Sequence, residues 1–185
     1  MRILGAVGAN GSGKDEVLRY LAERYGVPYV STGEIVRAIA ALQGVEATRD
    51  RLGAISEEHF KRLGAGCFVK MAAERIAENG WPVAGISGVR SADDVRLLKS
   101  LHADEFTLIH VVVSDPGIRF TRMKARGSAR DPLDWETFCK LDVREETRFK
   151  TLEACSYADV VVRNDGDLED LHREIDRYID EGLLA

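Results

Sequence analysis

The sequence predicts an α/β protein of three layers, with helices on both faces of a five-stranded parallel sheet. Short apolar runs alternate with longer segments of helical period along all 185 residues. This alternation is typical of parallel strands connected by helices. The runs are apolar at nearly every position, as expected of strands that are buried on both faces. No Pro-, Gly- or Ser-rich linker interrupts the pattern, so we expect a single domain over residues 1–185.

Each predicted strand is a short apolar run that ends at a turn. The predicted strands cover residues 2–7, 28–32, 81–87, 106–113 and 158–164. The predicted helices have apolar residues three and four positions apart. They cover residues 14–26, 33–44, 56–80, 92–102, 116–127, 133–155 and 168–184. Ser56 is the predicted cap of the third helix, and Gly64 and Gly66 mark a break or a close packing point within it.

Composition argues against several functional classes. The formal net charge of −5 argues against nucleic acid as the main partner. The cysteines Cys67, Cys139 and Cys155 are widely spaced, which predicts reduced thiols rather than disulfides or a zinc site. No run of about 18 apolar residues and no signal-peptide pattern is present, so we expect no membrane partner and a cytoplasmic location. The expected partners are small-molecule nucleotides, and the expected state is a monomer or homodimer.

The clearest motif follows the first predicted strand and opens the first helix. Gly8, Gly11, Gly13 and Lys14 fit the pattern GxxxxGK of a phosphate-binding loop, or P-loop. Glycines let backbone N–H groups surround a phosphate, the helix N-terminus adds partial positive charge, and the lysine adds a mobile one. The motif therefore predicts ATP binding. The ATP-binding residues of this segment are Gly8, Asn10, Gly11, Ser12, Gly13, Lys14, Asp15 and Glu16.

Asp15 departs from the motif, which has Ser or Thr at this position. The usual hydroxyl gives Mg²⁺ a neutral oxygen, whereas a carboxylate is a hard oxygen ligand that adds negative charge. Asp15 could hold the metal directly or through water. It could instead stabilise the N-terminus of the helix. The sequence leaves both interpretations open.

A second motif, YVSTGEIVRA, covers residues 29–38. With the P-loop before it, this segment resembles the nucleoside monophosphate kinases among the P-loop kinases. The similarity is strongest to adenylate kinase and to small archaeal proteins related to adenylate kinase or dephospho-CoA kinase, and it extends over nearly the whole chain. It implies an acceptor-binding subregion at residues 33–66. The implied acceptor-binding residues are Ser31, Thr32, Gly33, Arg37 and Arg90.

The same resemblance implies a short lid at residues 119–133, with arginines at 122, 126 and 130. It places Arg144 and Arg148 near the transfer site, and Asn164 and Gly166 in the turn beside the donor base. The implied catalytic residues are Lys14, Arg90, Arg122, Arg126 and Arg144, because planar guanidinium groups can hold phosphates in line. The alternative for the lid arginines is that they form a basic helix face exposed to solvent. The alternative for Arg144 and Arg148 is that they form ion pairs with Glu145, Glu146 or Glu153.

The expected cofactors are ATP and Mg²⁺, and the expected reaction moves the γ-phosphate to a nucleoside or deoxynucleoside monophosphate. Ser87 stands where the resembling family has an acid that holds metal-bound water. We therefore expect the metal to be held mostly by phosphates and water, with Asp15 and Glu34 assisting through water. The alternatives are a dephospho-CoA kinase-like enzyme and a catalytically degenerate ATP-binding regulator.

Overall fold

The computed structural model describes residues 1–128 and 131–184, apart from the side chain of Arg49. Its strands are β1 (Arg2–Val7), β2 (Tyr29–Ser31), β3 (Val83–Ser87), β4 (Phe106–Val112) and β5 (Val160–Arg163). They pair in parallel throughout, in the order β2-β3-β1-β4-β5. Helices cover both faces of this sheet, so the predicted three-layer α/β/α fold is confirmed.

The first five helices are α1 (Lys14–Tyr25), α2 (Thr32–Leu42), α3 (Arg49–Leu63), α4 (Cys67–Glu78) and α5 (Ala92–His102). The remaining helices are α6 (Pro116–Arg126), α7 (Trp135–Phe149), α8 (Thr151–Cys155) and α9 (Leu168–Asp180). Ser91 caps α5 in a reciprocal arrangement with Asp94, which satisfies backbone N–H groups at the helix start. No helix of the described residues is long and apolar enough to cross a membrane.

The central strand β1 shows why the runs are continuously apolar. Ile3 and Val7 pack into one core layer, together with residues of α4 and α5. Leu4 and Ala6 point to the opposite layer, which contains residues of α1 and α9. All four side chains are fully buried. Successive side chains of a strand alternate between faces, so a strand with two buried faces needs apolar residues at every position.

The predicted helix at residues 56–80 is wrong in its start and its continuity. The chain instead forms α3 and α4, and Thr48 rather than Ser56 is the cap of α3. Ser56 lies inside α3, where its hydroxyl donates to the carbonyl of Leu52 at 2.9 Å. The predicted break is confirmed: Gly66 has a left-handed φ of 79°, and a Cβ there would lie 2.7 Å from the side chain of Leu97.

The predicted helix at residues 133–155 also divides into two. Lys150 adopts a left-handed φ of 50° between α7 and α8. The Glu146 carboxylate then accepts the N–H of Leu152 at 3.0 Å, which satisfies a donor at the start of α8. The last helix ends at Asp180, before the predicted 184. Residue 130, the third predicted lid arginine, lies outside the described residues.

The carboxyl ends of the parallel strands gather the two motifs at one edge of the sheet. The P-loop follows β1, Ser31 ends β2 and Ser87 ends β3. Beside this edge, α2, α3 and α4 enclose a small apolar cluster of their own, built around Val36 and Ile55. This cluster forms one wall of a crevice at the edge where open α/β sheets bind their ligands.

Candidate active site

A cavity of about 800 Å³ opens at this edge of the sheet. Its volume lies within the range of small-molecule sites. The sequence-predicted residues that line it are Asn10, Gly11, Gly13, Lys14, Asp15, Glu16, Ser31, Thr32, Gly33, Glu34, Arg37, Arg90, Arg126 and Arg144. Those that lie outside its lining are Gly8, Ser12, Arg122, Asn164 and Gly166. The fold thus brings the two motifs to a shared space.

The P-loop is held in a conformation that requires glycine. Gly13 has a φ of 94°, and a Cβ there would lie 2.4 Å from Nδ2 of Asn164. Gly11 has a φ of 80°, and a Cβ there would lie 2.9 Å from the carbonyl of Arg119. The neighbouring helix α6 and the turn after β5 therefore press directly on the loop. The first residues of α1 line the cavity, and the N-terminus of a helix is suited to bind an anion.

Lys14 is the cation at the centre of the loop. Its ammonium donates to the carbonyl of Ala9 at 3.4 Å, its only hydrogen bond among the described residues. Burial lowers the pKa of Lys14; neighbouring Asp15 opposes this shift and Arg90 adds to it. The loop therefore holds a lysine that lacks an ion-pair partner in the described chain, positioned to bind a phosphate.

Asp15 and Ser87, the two positions that depart from the familiar motifs, contact each other. The Ser87 hydroxyl donates to Oδ1 of Asp15 at 2.5 Å. Ser87 is buried, with 5% of its surface exposed, whereas Asp15 is exposed toward the cavity. Asp15 also lies in the first turn of α1, where a negative charge stabilises the helix. The observed position of Asp15 is therefore compatible with both interpretations from sequence, metal binding and stabilisation of the helix N-terminus.

The oxygens around Lys14 fit a magnesium ion only in part. Asp15 and Ser87 offer hard oxygen atoms beside the phosphate loop. Glu34 lines the same cavity from α2 and is exposed. Within residues 1–128 and 131–184, no group of three or more His, Cys, Asp and Glu side chains is arranged to hold a metal ion. Phosphates and water would therefore have to complete the coordination, as is usual for Mg²⁺.

The second motif begins the opposite wall. Ser31 is the cap of α2, and its hydroxyl accepts the N–H of Glu34 at 3.4 Å. The hydroxyl of Thr32 donates to the carbonyl of Gly88 at 3.3 Å. Gly88 has a φ of 91°, and a Cβ there would lie 2.1 Å from that hydroxyl. These contacts fix the ends of β2 and β3 against each other at the cavity.

Arg37 lies one helical turn after Gly33, and its guanidinium reaches back toward that residue. Arg144 approaches the cavity from α7. Neither side chain makes a hydrogen bond or an ion pair within the described part of the chain. Two permanently charged guanidinium groups thus face the cavity with all their donors available to an anion.

Arg90 stands between the two walls. Its guanidinium donates to Glu145 at 2.7 Å and lies over the ring of Phe149, 5.3 Å from the ring centre. Arg148 lies over the same ring at 5.1 Å and donates to the carbonyl of Gly53 at 3.5 Å. Helix α7 therefore closes over the cavity and touches α3 on the far side.

The ion pairs considered for Arg144 and Arg148 are not those observed. Glu145 pairs with Arg90, and Glu146 binds the start of α8. Glu153 pairs with Arg96 at 2.5 Å. The acids nearest in sequence are thus engaged elsewhere.

The two described lid arginines face different directions. Arg126 lines the cavity and donates to the Asp131 carboxylate at 2.9 and 2.5 Å. Arg122 faces the turn after β5. It donates to the carbonyls of Asn164 and Gly166 at 2.8 and 2.7 Å. In this conformation Arg122 connects α6 to the turn rather than pointing at a phosphate.

Asn164 and Gly166 lie beneath and beside the P-loop. The Asn164 side chain is buried and donates to the carbonyl of Ser12 at 2.7 Å. The backbone carbonyls of Asn164 and Gly166 accept hydrogen bonds from the guanidinium of Arg122. The turn after β5 is therefore attached to both the loop and α6, although neither residue lines the cavity.

Arg119 is an important residue that sequence reasoning missed. It is buried, donates to the carbonyl of Asn10 at 3.0 Å, and forms a bidentate pair with Asp142 at 2.8 and 2.7 Å. It links the P-loop to α6 and α7. It is one of three arginines on α6, and no local pattern distinguishes it from the other two.

The comparisons with known proteins agree with this architecture. A family model described as "AAA domain" matches residues 7–139. A shikimate kinase from Acinetobacter baumannii in complex with shikimate has a TM-score of 0.60 at 17% identity, with 100% of this chain and 96% of that chain covered. A gluconokinase from Sinorhizobium meliloti has a TM-score of 0.55 at 14% identity, with 97% and 94% covered. At these identities the similarity is one of fold, that of the P-loop kinases.

Sequence relatives cover nearly the full length. A UPF0200 protein of Thermococcus onnurineus is 34% identical over 185 residues, covering 99% of this chain and 98% of the relative. A UPF0200 protein of Methanocaldococcus jannaschii is 30% identical, covering 99% and 91%. The predicted resemblance is thus confirmed at the level of P-loop kinase-like proteins, while the nucleoside monophosphate kinase assignment stays a prediction. The chain belongs to the UPF0200 protein family and carries an AAA domain.

Proposed function

We propose that this protein is an ATP-dependent phosphotransferase that moves the γ-phosphate to a small phosphorylated acceptor, with a nucleoside or deoxynucleoside monophosphate as first choice. One observation carries the proposal. Lys14 on one wall faces the same cavity as Arg37 and Arg144 on the other, and neither arginine has a partner among the described residues. Two phosphate sites that share a cavity are what phosphoryl transfer between nucleotides requires.

In this proposal the P-loop N–H groups and Lys14 hold the donor phosphates. Arg37 and Arg144 hold the acceptor phosphate, with Arg90 between them. The developing charge of the transferred group would be stabilised by Lys14, Arg90 and Arg126, with no bond made to the protein. An acceptor phosphate is already a nucleophile, so no general base is required. Residues 33–66 serve as the acceptor subregion and 119–133 as the lid, whose closure would exclude water.

The proposed cofactors are ATP and Mg²⁺. Bound Mg²⁺ supplies a positive charge that neutralises the donor phosphates and orients them. Asp15, Ser87 and Glu34 are the hard-oxygen side chains of the cavity that would hold it.

An alcohol is the second candidate acceptor, because two carboxylates stand near the centre. Glu145 and Asp15 both act electrostatically on Lys14. A carboxylate can accept the proton of an attacking hydroxyl, which a phosphate acceptor does not need. A dephospho-CoA kinase-like reaction belongs to this class. A catalytically degenerate ATP-binding regulator would use only the wall that contains the P-loop and Lys14.

A phosphotransfer panel tests the proposal. Purified protein and Mg²⁺-ATP are incubated with each ribo- and deoxyribonucleoside monophosphate, with dephospho-CoA, and with shikimate and gluconate. Lys14→Ala is the inactive control, and Lys140→Ala, at an exposed lysine of α7, controls for loss of a positive charge. We expect one monophosphate to accept phosphate from the wild type and Lys140→Ala, with turnover reduced about 10²-fold or more in Lys14→Ala. Transfer only to an alcohol would favour the second candidate. Tight ATP binding without any transfer would favour the regulator.

A further inference from the structure

Asp15 and Ser87 have exchanged the two ligand types that hold magnesium in P-loop proteins. In those proteins the ion is held by the Ser or Thr hydroxyl after the loop lysine and by an Asp on a strand of the sheet. Here the residue after Lys14 is the acid, and the residue that ends β3 is the hydroxyl. A carboxylate and a hydroxyl are thus both present, but here the carboxylate follows the loop lysine and the hydroxyl lies on the strand.

The pairing of β3 with β1 explains why the carboxylate and the hydroxyl still lie side by side after this exchange. β3 pairs with β1 in parallel, with Ser87 opposite Ala6, so the end of β3 lies beside the start of the P-loop. Ser87 Oγ contacts Asp15 Oδ1 at 2.5 Å from this position. The second carboxylate oxygen of Asp15 has no hydrogen-bond partner among the described residues. One exposed oxygen thus faces the cavity while the other is oriented by a buried hydroxyl.

We propose that Asp15 and Ser87 form a magnesium site in which the loop supplies the charged oxygen and the strand supplies the neutral one. The remaining ligands are phosphate oxygens of ATP and water. The proposal rests on ATP being the bound nucleotide, as above. It differs from the expectation that Asp15 and Glu34 act only through water, because it makes Ser87 a ligand and the contact with Asp15 essential.

A purely structural role for Asp15 makes a different prediction. If its carboxylate only stabilised the N-terminus of α1, removal of the charge would slightly lower the thermal unfolding midpoint without changing the metal dependence of nucleotide binding. Asp93 provides the matched control for this alternative. It lies in the first turn of α5, outside the cavity lining, and its carboxylate pairs with Arg96 at 3.1 Å.

The experiment measures nucleotide binding rather than turnover. The affinity of a non-hydrolysable ATP analogue is determined by titration calorimetry with excess Mg²⁺ and with EDTA, and the ratio of the two affinities is compared among variants. The variants are Asp15→Ser, Ser87→Asp, the double exchange Asp15→Ser/Ser87→Asp, and Asp93→Asn. Thermal unfolding of each variant checks that it is folded.

We expect Asp15→Ser to reduce the Mg²⁺-dependent gain in affinity about tenfold or more, in line with the loss of an outer or inner metal ligand. The double exchange restores the acid to the strand and the hydroxyl to the loop, so it should recover most of that gain. Asp93→Asn should retain the wild-type ratio. A wild-type ratio in Asp15→Ser would overturn the proposal, as would a folded double exchange no better than Asp15→Ser.

A second measurement applies if the exchanged protein does not fold. Asp15→Asn and Ser87→Ala remove a ligand with little change of shape, and Mn²⁺ binding to their analogue complexes is followed by electron paramagnetic resonance. Weaker Mn²⁺ binding in both supports the site, and unchanged binding in either overturns it. Failure of the wild type to bind the analogue under any condition would instead contradict the proposed function, so the two failures are distinguishable.

Discussion

The arginines on the two sides of the cavity are bonded in opposite ways. The donor wall is the P-loop together with the parts of α6 and of the turn after β5 that support it from outside the cavity lining. On this wall, Arg119 and Arg122 donate to backbone carbonyls, Asp142 and the Asn164 side chain. On the acceptor wall, Arg37 and Arg144 have no partner within the described chain. Satisfied guanidinium groups fix the shape of a site, whereas unsatisfied ones are available to a ligand. In the proposed function, this difference corresponds to a preformed donor site and an acceptor site that the ligand completes.

Disruption of the donor wall should have the largest effect on stability. Arg119→Met removes a side chain that is 7% exposed and leaves Asp142, 33% exposed, without its partner. Because breaking a buried pair leaves an uncompensated charge, we expect a loss of about 3 kcal/mol in the free energy of unfolding. Urea denaturation measures it. Arg173→Met, at a 72% exposed pair on α9, is the control and should change stability by about 0.5 kcal/mol at most. A loss below 1 kcal/mol in Arg119→Met would contradict a structural donor wall.

Loss of a charge from the acceptor wall should weaken binding and spare stability. Arg37→Ala removes a guanidinium that has no hydrogen-bond or ion-pair partner within residues 1–128 and 131–184, so the unfolding midpoint should stay near the wild-type value. Charge-assisted hydrogen bonds to a phosphate are worth about 1.5–3 kcal/mol, which predicts roughly 10- to 100-fold weaker acceptor binding. Calorimetry with the acceptor found in the panel measures this, and Arg173→Ala is the control. Unchanged acceptor affinity would remove Arg37 from the site.

The contrast between the walls also separates what the sequence could and could not predict. The strands, the P-loop and the STG segment were predictable because each depends on residues close in sequence. Thr48 as the cap of α3 was missed because Ser56 carries an equally good local signal. The break at Lys150 was missed because a non-glycine residue in a left-handed conformation has no clear local signal.

The placement of individual side chains was beyond sequence reasoning for a related reason. Arg119 pairs with a residue 23 positions away, and Arg90 with one 55 positions away. The contact between Asp15 and Ser87 spans 72 positions. Such pairs depend on how helices pack over the sheet, which periodicity does not specify. The sequence shows that Asp15 and Ser87 depart from the familiar motifs, but it does not show that their side chains contact each other.

A smaller effect is expected from a substitution of Glu145, whose carboxylate holds Arg90 between the two walls. Glu145 holds Arg90 at 2.7 Å, so an incoming phosphate must compete with a carboxylate for that guanidinium. Glu145→Gln removes the negative charge and should raise the affinity for inorganic phosphate about fivefold, equivalent to roughly 1 kcal/mol for a partly exposed pair. Calorimetric titration of phosphate measures it, with Glu136→Gln on the exposed face of α7 as the control. A weaker affinity in Glu145→Gln would mean that Glu145 orients Arg90 rather than competing for it.

The smallest effect concerns the functional lysine of the donor wall. Burial lowers the pKa of Lys14 in the folded state below its ordinary value of 10.5, so the unfolded chain binds this proton more strongly. The charge therefore destabilises the fold fully below the folded-state pKa, and the penalty disappears as the pH rises toward 10.5. Lys14→Met should be more stable than the wild type by about 1 kcal/mol at pH 7, with the difference narrowing at higher pH.

Urea denaturation at pH 7 and pH 10, in buffer free of phosphate and nucleotide, tests this expectation. Lys140→Met replaces a lysine that is 72% exposed and should give a difference that varies little over the same range. A Lys14→Met protein that is less stable than the wild type at pH 7 would show that the ammonium supports the loop. The expected result would instead mean that the Lys14 ammonium, which has no ion-pair partner among the described residues, lowers the stability of the fold, as its proposed role in binding a phosphate allows.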